Sequence, residues 1–444
     1  MNKEYEKVEK QILDIPKFSK KTSKENLKNI YDSLQLNSPG IIHVAGTNGK
    51  GSVCAFITSI LTGCGKKVGT FTSPHLVSMT ERIKINNNNI DEDSFVEAYE
   101  AVSEAVRENM DKGGEYPSFF EMLFLMAMHI FDKEKVEYIV LETGLGGRLD
   151  ATNMFDEPLV SVITSISLDH MEILGDTIEA ITAEKAGIIK TGVPVVFYGE
   201  NNAVKDVIER RALQQNVKSY CVRKSDIISV KKCKNNIAFS LNNSYYDYGG
   251  LEVSFIADYQ VINATLAIRT IEVINEIYSA GITVPDIRTG IKNAKWEARM
   301  EQVISGVFID GAHNDDGIDE FVKVVADYEC EGKKIIVFSA VQEKEYRKMI
   351  RRIATETGIT EFVIPTIDNP RALKYTEICD IFSEYVQTEH IYGFDHVKDA
   401  LKKAFELKEK EDVLFIAGSL YLAGEVKKVL PHINTSIRTE ENDD

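Results

Sequence analysis

Residues 41–52, IIHVAGTNGKGS, join an apolar run of strand length to a glycine-rich turn with one lysine and one serine, and residues 53–61 after them read as a helix. That order is the grammar of a phosphate-binding loop. Gly46, Gly49 and Gly51 permit positive φ, so that N–H groups, including those of Thr47 and Asn48 between them, can turn inward; Lys50 adds a mobile charge and Ser52 a hydroxyl suited to Mg2+. A nucleoside triphosphate fits this chemistry best. The spacing departs from G-x-x-x-x-G-K-[ST], because Val44 stands where the first glycine would be and Gly51 separates Lys50 from Ser52. A plain glycine turn is therefore the competing account.

Other polar groups fall at the ends of strand-like runs. Glu142 closes VEYIVLE, the usual place for an acidic metal partner beside a phosphate loop, although a carboxylate there can equally cap a helix. Residues 142–153, ETGLGGRLDATN, put Arg148, Asp150, Thr152 and Asn153 among three glycines, a backbone-rich loop that is costly unless a ligand uses it. His170 closes SVITSISLDH and could meet the same ion, while a lone histidine is more often satisfied by hydrogen bonds. Neither H-E-x-x-H nor a cysteine pair occurs, which favours Mg2+ over structural zinc. Lys185, among Ile181, Ala186, Ile188 and Ile189, reads from composition as a snorkelling lysine on an amphipathic helix. Arg299 in WEARMEQ could fork onto a phosphate or sit in a surface salt bridge, and Asp310 and His313 in FIDGAHN again follow a strand-like run.

The elements needed to position these groups are legible as alternation. Strands are predicted over 41–45, 67–71, 136–141, 159–164 and 193–197, with helices over 51–62, 92–110, 118–132, 177–189 and 202–214. This predicts an α/β domain, a mainly parallel sheet with ligands at the strand carboxyl ends. Residues 225–256, broken by Asn-Asn and Gly-Gly pairs, predict a small antiparallel β insert, and helical periodicity returns over 259–278. The stretch 294–300 predicts a boundary, giving domains 1–296 and 297–444. In the second, smaller and Rossmann-like, strands are expected over 306–310, 334–338, 361–364, 388–391 and 412–416. Helices there are expected over 316–328, 343–355, 371–385, 396–408 and 420–429, followed by a frayed tail after His432.

The totals exclude some partners. A chain of 444 residues exceeds one usual core. A net charge of −17 disfavours nucleic acid and anionic membranes, so an anionic substrate must be met by local cations. Six scattered cysteines and a charged start, MNKEYEKVEKQ, predict a reduced cytoplasmic protein without a signal peptide. Residues 119–131, apolar but holding Glu121 and His129, are too short to span a bilayer and predict a buried helix.

Together the motifs resemble the folylpolyglutamate synthase family of the Mur ligase superfamily. The resemblance runs in order through GTNGKGS at 46–52, TSPHL at 72–76 with ERI at 81–83, and ETGLGGRLDATN at 142–153. It continues through LDHMEILGDT at 168–177, AEKAGIIK at 183–190, DGAHN at 310–314 and GSLYLAGEV at 418–426. It implies that Lys50 and the loop amides hold ATP phosphates and that Ser52, Glu142 and His170 surround Mg2+. It also implies that Lys185 is carbamylated and serves a second Mg2+, replacing the snorkelling account. Gln260, Asn263, Arg299, Asp310 and His313 would contact nucleotide, Ser73, Pro74 and His75 would lie beside the pterin, and His313 and Ser419 would hold glutamate. The implied reaction adds L-glutamate to the γ-carboxyl of a reduced folate through an acyl phosphate, in a monomer, and leaves open whether dihydropteroate is also accepted.

The chain departs from the family pattern at Glu297 and Ala298, where proline and glycine are usual. It departs again at Ala257, usually glycine, at Asp315, commonly proline, and at 343–345, Glu-Lys-Glu in place of Asp-Lys-Asp. Two other functions compete. A ligase of a cell-wall precursor would share the chemistry, but the loop at 142–153 and the segment at 72–83 speak against it. A nucleotide-dependent switch would need a guanine-reading N-K-x-D, which does not occur.

Overall fold

The computed structural model describes residues 2–15, 23–37, 39–233, 236–242, 248–342 and 345–440. The chain forms two compact units, Met1–Ser254 with Gln260–Lys295, and Phe255–Tyr259 with Trp296–Asp444. The second unit thus contains, besides Trp296–Asp444, a short excursion that ends on the first residue of the long helix Tyr259–Tyr278.

The first unit is built on an eight-stranded sheet in the order Asn88–Asn89, Ile83–Ile85, Val68–Phe71, Tyr138–Glu142, Gly40–Ala45, Val160–Ile163, Val195–Tyr198, Ser219–Val222. From Val68–Phe71 onward every pairing is parallel, and the two short strands at the other edge are antiparallel. Central strands such as Gly40–Ala45 are apolar and buried on both faces, as a helix-covered parallel sheet requires. Register decides where the chemistry sits: Val44 pairs with Glu142 and Ala45 with Ile163, so three strands finish side by side where the glycine loop begins.

The helix Lys50–Gly63 is buried along most of its length, and Phe119–Lys133 is the buried helix expected from composition. Its Glu121 belongs to a capping box with Ser118, which is why a carboxylate opens an apolar run. Phe71 and Phe124 are buried and pack edge-on or tilted with the partly buried Phe120 and Phe155, each fully buried ring contributing about 1.5–3 kcal/mol. The predicted insert is a three-stranded antiparallel sheet, Ile227–Lys232, Ile237–Leu241 and Tyr248–Val253.

The second unit holds a six-stranded sheet ordered Glu301–Ile304, Val307–Ile309, Val413–Ala417, Lys334–Phe338, Glu361–Pro365, Ile391–Phe394, parallel except at the first pair. Ala257 packs in its core with Phe308, Phe338 and Phe415. The last helix runs Leu420–Glu440, past the end at 429 expected from the sequence. Pro431 lies inside it; the missing N–H removes one hydrogen bond but does not end the helix. Among the described residues no helix is long and apolar enough to cross a membrane.

Candidate functional site

The loop between Gly40–Ala45 and Lys50–Gly63 needs glycine at two points. At Gly46 a Cβ would lie 1.8 Å from the Thr164 hydroxyl, and Gly49 holds φ +85° with the Asn263 side-chain Oδ1 2.5 Å from any added Cβ. Gly49→Ala combines left-handed strain with that clash and is expected to lower stability by ~1–3 kcal/mol, measured as a fall in thermal midpoint. The loop is also held from the neighbouring strand end. The Thr47 N–H donates to the Ser165 carbonyl at 2.8 Å, and Thr164 and Ser165 hydroxyls donate to the Asn48 carbonyl at 2.7 and 3.1 Å. Thr47 and Asn48 therefore shape the loop with their backbones. The groups left for an anion are the first-turn N–H groups of Lys50, Gly51 and Ser52, ahead of the first helical bond from Val53 to Gly49.

Side chains converge on this turn. Lys50 Nζ folds onto the Thr47 carbonyl at 3.0 Å. The buried Ser52 hydroxyl accepts from Gln260 Nε2 at 3.2 Å, and Gln260 in turn accepts from Asn263 Nδ2 at 3.0 Å. Gln260 and Asn263 are thus buried against the loop within the first unit. Glu142, 3% exposed, accepts the Ser73 N–H at 3.0 Å, tying the strand end to the segment 73–82. That segment is braced by Glu81, which accepts from the N–H groups of Leu76, Val77 and Ser78, and by Arg82 Nε donating to His75 Nδ1 at 2.8 Å.

Lys185 is 4% exposed and donates to the Gly46 carbonyl at 2.7 Å. Burial, and then the Lys50 charge, push its amine down to about 7, against the pull of Asp169 and Asp150. A lysine in that state is half neutral near physiological pH, which a snorkelling side chain would not be. His170 lies in left-handed backbone before Met171–Leu174, its side chain 54% exposed with Asp169 4.0 Å away. Among the described residues no group of three or more His, Cys, Asp or Glu side chains could hold a metal by itself. The hydroxyl of Ser52 and carboxylate of Glu142 are oxygen donors that fit Mg2+, and a near-neutral Lys185 amine fits conversion to a third.

The loop at 142–153 has its polar groups engaged by protein partners, several of them its own. Asp150 accepts from the N–H groups of Gly144, Leu145 and Thr152 and from the Thr152 hydroxyl. With its proton committed to Asp150, Thr152 accepts from Nε2–H of His43, whose ring burial holds neutral with a pKa of about 3. Arg148 pairs with Glu184 at 2.8 Å. The loop's cost is thus offset from within by Asp150 and from outside by His43 and Glu184.

In the second unit, buried Asp310 follows Val307–Ile309. It accepts from Ala312 N–H at 2.7 Å, Met300 N–H at 2.8 Å and the Tyr259 hydroxyl at 3.4 Å. Burial pushes its carboxyl up, opposed by the Arg299 guanidinium. Arg299 donates to the Ala298 carbonyl at 2.8 Å. Ala298, at the family's glycine position, holds φ 50°, the left-handed region that favours glycine. His313 donates from Nδ1 to the Gly311 carbonyl at 2.7 Å, and the Gly418 N–H reaches the Ala312 carbonyl at 3.1 Å, drawing this loop to Ser419. Ser419 is buried and accepts from the Tyr421 N–H at 3.1 Å. Arg299, Asp310, His313 and Ser419 therefore gather at the carboxyl edge of one sheet. Glu343 and Lys344 lie outside the described residues.

The motifs give no sign of Thr164, Ser165 or Tyr259, whose hydroxyls and carbonyls brace the two loops. Only Tyr259, an aromatic beside Gln260 at the start of a helix, carries a local signal.

Residues 44–271 match the Mur ligase middle domain and residues 298–420 the Mur ligase, glutamate ligase domain. The chain is 36% identical over 398 residues to the dihydrofolate synthase/folylpolyglutamate synthase of Bacillus subtilis, covering 87% of this chain and 90% of that protein. It superposes on the Mycobacterium tuberculosis folylpolyglutamate synthase complexed with ADP with a TM-score of 0.87 at 25% identity, over 96% of this chain and 98% of the other. For E. coli FolC in complex with DHPP and ADP the TM-score is 0.81 at 25% identity, over 97% and 98%.

Proposed function

Because this chain belongs to the folylpolyglutamate synthases of the Mur ligase family, ATP-dependent ligases that add glutamate to folate, we propose how its residues divide that reaction. A carboxylate does not accept an amine unaided, since oxide is a poor leaving group. The folate γ-carboxylate therefore first attacks the γ-phosphorus of ATP, giving an acyl phosphate and ADP. The glutamate amine then adds to the acyl carbon, loses its proton and expels phosphate.

The first-turn amides of Lys50, Gly51 and Ser52 hold phosphate oxygens, and the Lys50 ammonium offsets charge as the phosphoryl group moves. Bound Mg2+, at one or two positions, would supply further charge neutralisation there. Ser52, Glu142 and His170 would hold one ion, and Lys185, as a carbamate, the second. Ser73, Pro74 and His75 would face the pterin side. In the second unit Arg299 and Asp310 would serve nucleotide, and His313 and Ser419 would orient the glutamate amine.

One observation carries this reading above the others: the buried, near-neutral Lys185 amine lies on the Gly46 carbonyl, inside the phosphate loop itself. The test is to incubate the protein with ATP, Mg2+, tetrahydrofolate and glutamate and follow products by mass. The expected result is folate extended by glutamyl units with one ADP and one phosphate per addition. Extension without ADP, or ADP release independent of folate, would sink it. A positional-isotope arm, with 18O in the γ-carboxyl appearing in phosphate, tests the acyl phosphate directly. Similarity to a protein named for both activities also favours dihydropteroate as a second acceptor, since the same carboxylate activation serves it. Turnover on dihydropteroate in the same assay decides that reading.

A further inference from the structure

The loop after Glu142 and the turn bearing Lys185 are joined by a seam of backbone contacts. Arg148 donates its N–H to the Glu184 carbonyl at 2.8 Å. A Cβ at Gly147 would lie 2.8 Å from the Lys185 carbonyl, and one at Gly187 would lie 2.4 Å from Arg148 Cβ. The two backbones touch there, with no side chain between them. Asn153 closes the seam from the far side, its Nδ2 donating to the carbonyls of both Arg148, at 3.1 Å, and Gly187, at 3.2 Å. Its own carbonyl accepts from Lys190 Nζ at 3.2 Å.

Asn153 is 6% exposed, and its Oδ1 is buried without a hydrogen-bond partner. With its acceptor orphaned, what the Asn153 amide supplies here is its two donor contacts, which tie the Arg148 carbonyl to the Gly187 carbonyl. Its donors reach Gly187, two residues beyond Lys185, and the loop that starts at Glu142. We propose that Asn153 is a positioning residue for Lys185: it pins the lysine turn to the Glu142 loop, and so fixes where the Lys185 amine stands against the phosphate loop. This rests on the role given to Lys185 above. In the modification step the neutral amine attacks CO2: an N–C bond forms, one C=O becomes C–O−, and one proton leaves to solvent.

The test uses the full chain with Asn153→Leu, Asn153→Asp and Lys185→Ala. Carbamate is read by NMR with 13C-bicarbonate, alongside kcat, KM and thermal midpoint. Asn153→Leu takes the donor from both carbonyls and is expected to lower the midpoint by a few degrees, so kcat, KM and carbamate are read well below it. It should lower kcat at least tenfold with KM for ATP within threefold, and raise the bicarbonate concentration needed for half-occupancy of the carbamate. If it fails to fold, Asn153→Asp decides: the buried carboxyl regains one donor on protonation, so its activity relative to wild type should climb as pH falls from 8 to 6. Unchanged kcat and carbamate occupancy in Asn153→Leu, or a flat pH ratio in Asn153→Asp, overturns the proposal. Full activity in Lys185→Ala, or no carbamate signal in the wild type, would instead overturn the role of Lys185.

Discussion

Lys50→Ala should lower kcat by ~10²–10³ or more while leaving the thermal midpoint within a degree or two of wild type. The size follows from what the residue does at the moment of transfer. Three equatorial oxygens of the moving phosphoryl group carry charge in a site walled by buried side chains, where removal of one preorganised donor typically costs that much. The small effect on stability follows from the resting contact: Lys50 Nζ gives one hydrogen bond to the Thr47 carbonyl, and that loop is independently held by Ser165 and Thr164. Loss of only a fewfold in ATP-dependent glutamylation, measured at saturating folate, would mean that the loop does not carry the phosphates.

Lys185→Met is expected to show two opposite effects. Glutamylation should fall by at least ~10²-fold, since the side chain can no longer become a ligand. Stability should rise, and the rise should depend on pH. The folded amine titrates near 7 against 10.5 for the ordinary value, so the unfolded chain binds the extra proton between those limits and stability climbs with pH across them. Below about pH 7 the net cost of holding the charged amine there, mainly burial and then Lys50, on the order of 5 kcal/mol, is present in full. In CO2-free buffer the substitution should therefore raise the thermal midpoint most at pH 6 and least toward pH 10. A gain that did not shrink with rising pH would show that the amine is not titrating from a buried state. Retained turnover would remove it from the reaction.

The fold was legible where one periodicity dominates. The apolar run at 41–45 is the strand Gly40–Ala45, Glu142 is the last residue of its strand, and the alternation in both halves gives two mainly parallel sheets. The contacts that shape the site were not legible, because they join residues far apart in sequence. Nothing near Gly46 announces that Thr164 will fill the space beside it, and nothing near Asn153 announces Gly187. Residues 142–153 illustrate the limit of composition. Their polar groups suggest a waiting ligand, whereas Asp150 is occupied by the loop itself and Asn153 by the loop and by Gly187. Gln260 and Asn263 entered only through resemblance, and their burial under the glycine turn is a packing fact that helical periodicity does not encode.

The excursion Phe255–Tyr259 has a practical corollary for anyone dissecting the enzyme. A recombinant fragment starting at 297 would omit Ala257 from its apolar interior and the phenol that donates to Asp310, so it should express as a poorly folded piece. Grafting that pentapeptide onto the fragment's amino terminus through a flexible tether is the minimal repair to try. Swapping glutamate-ligase modules between relatives would need two splice points rather than one.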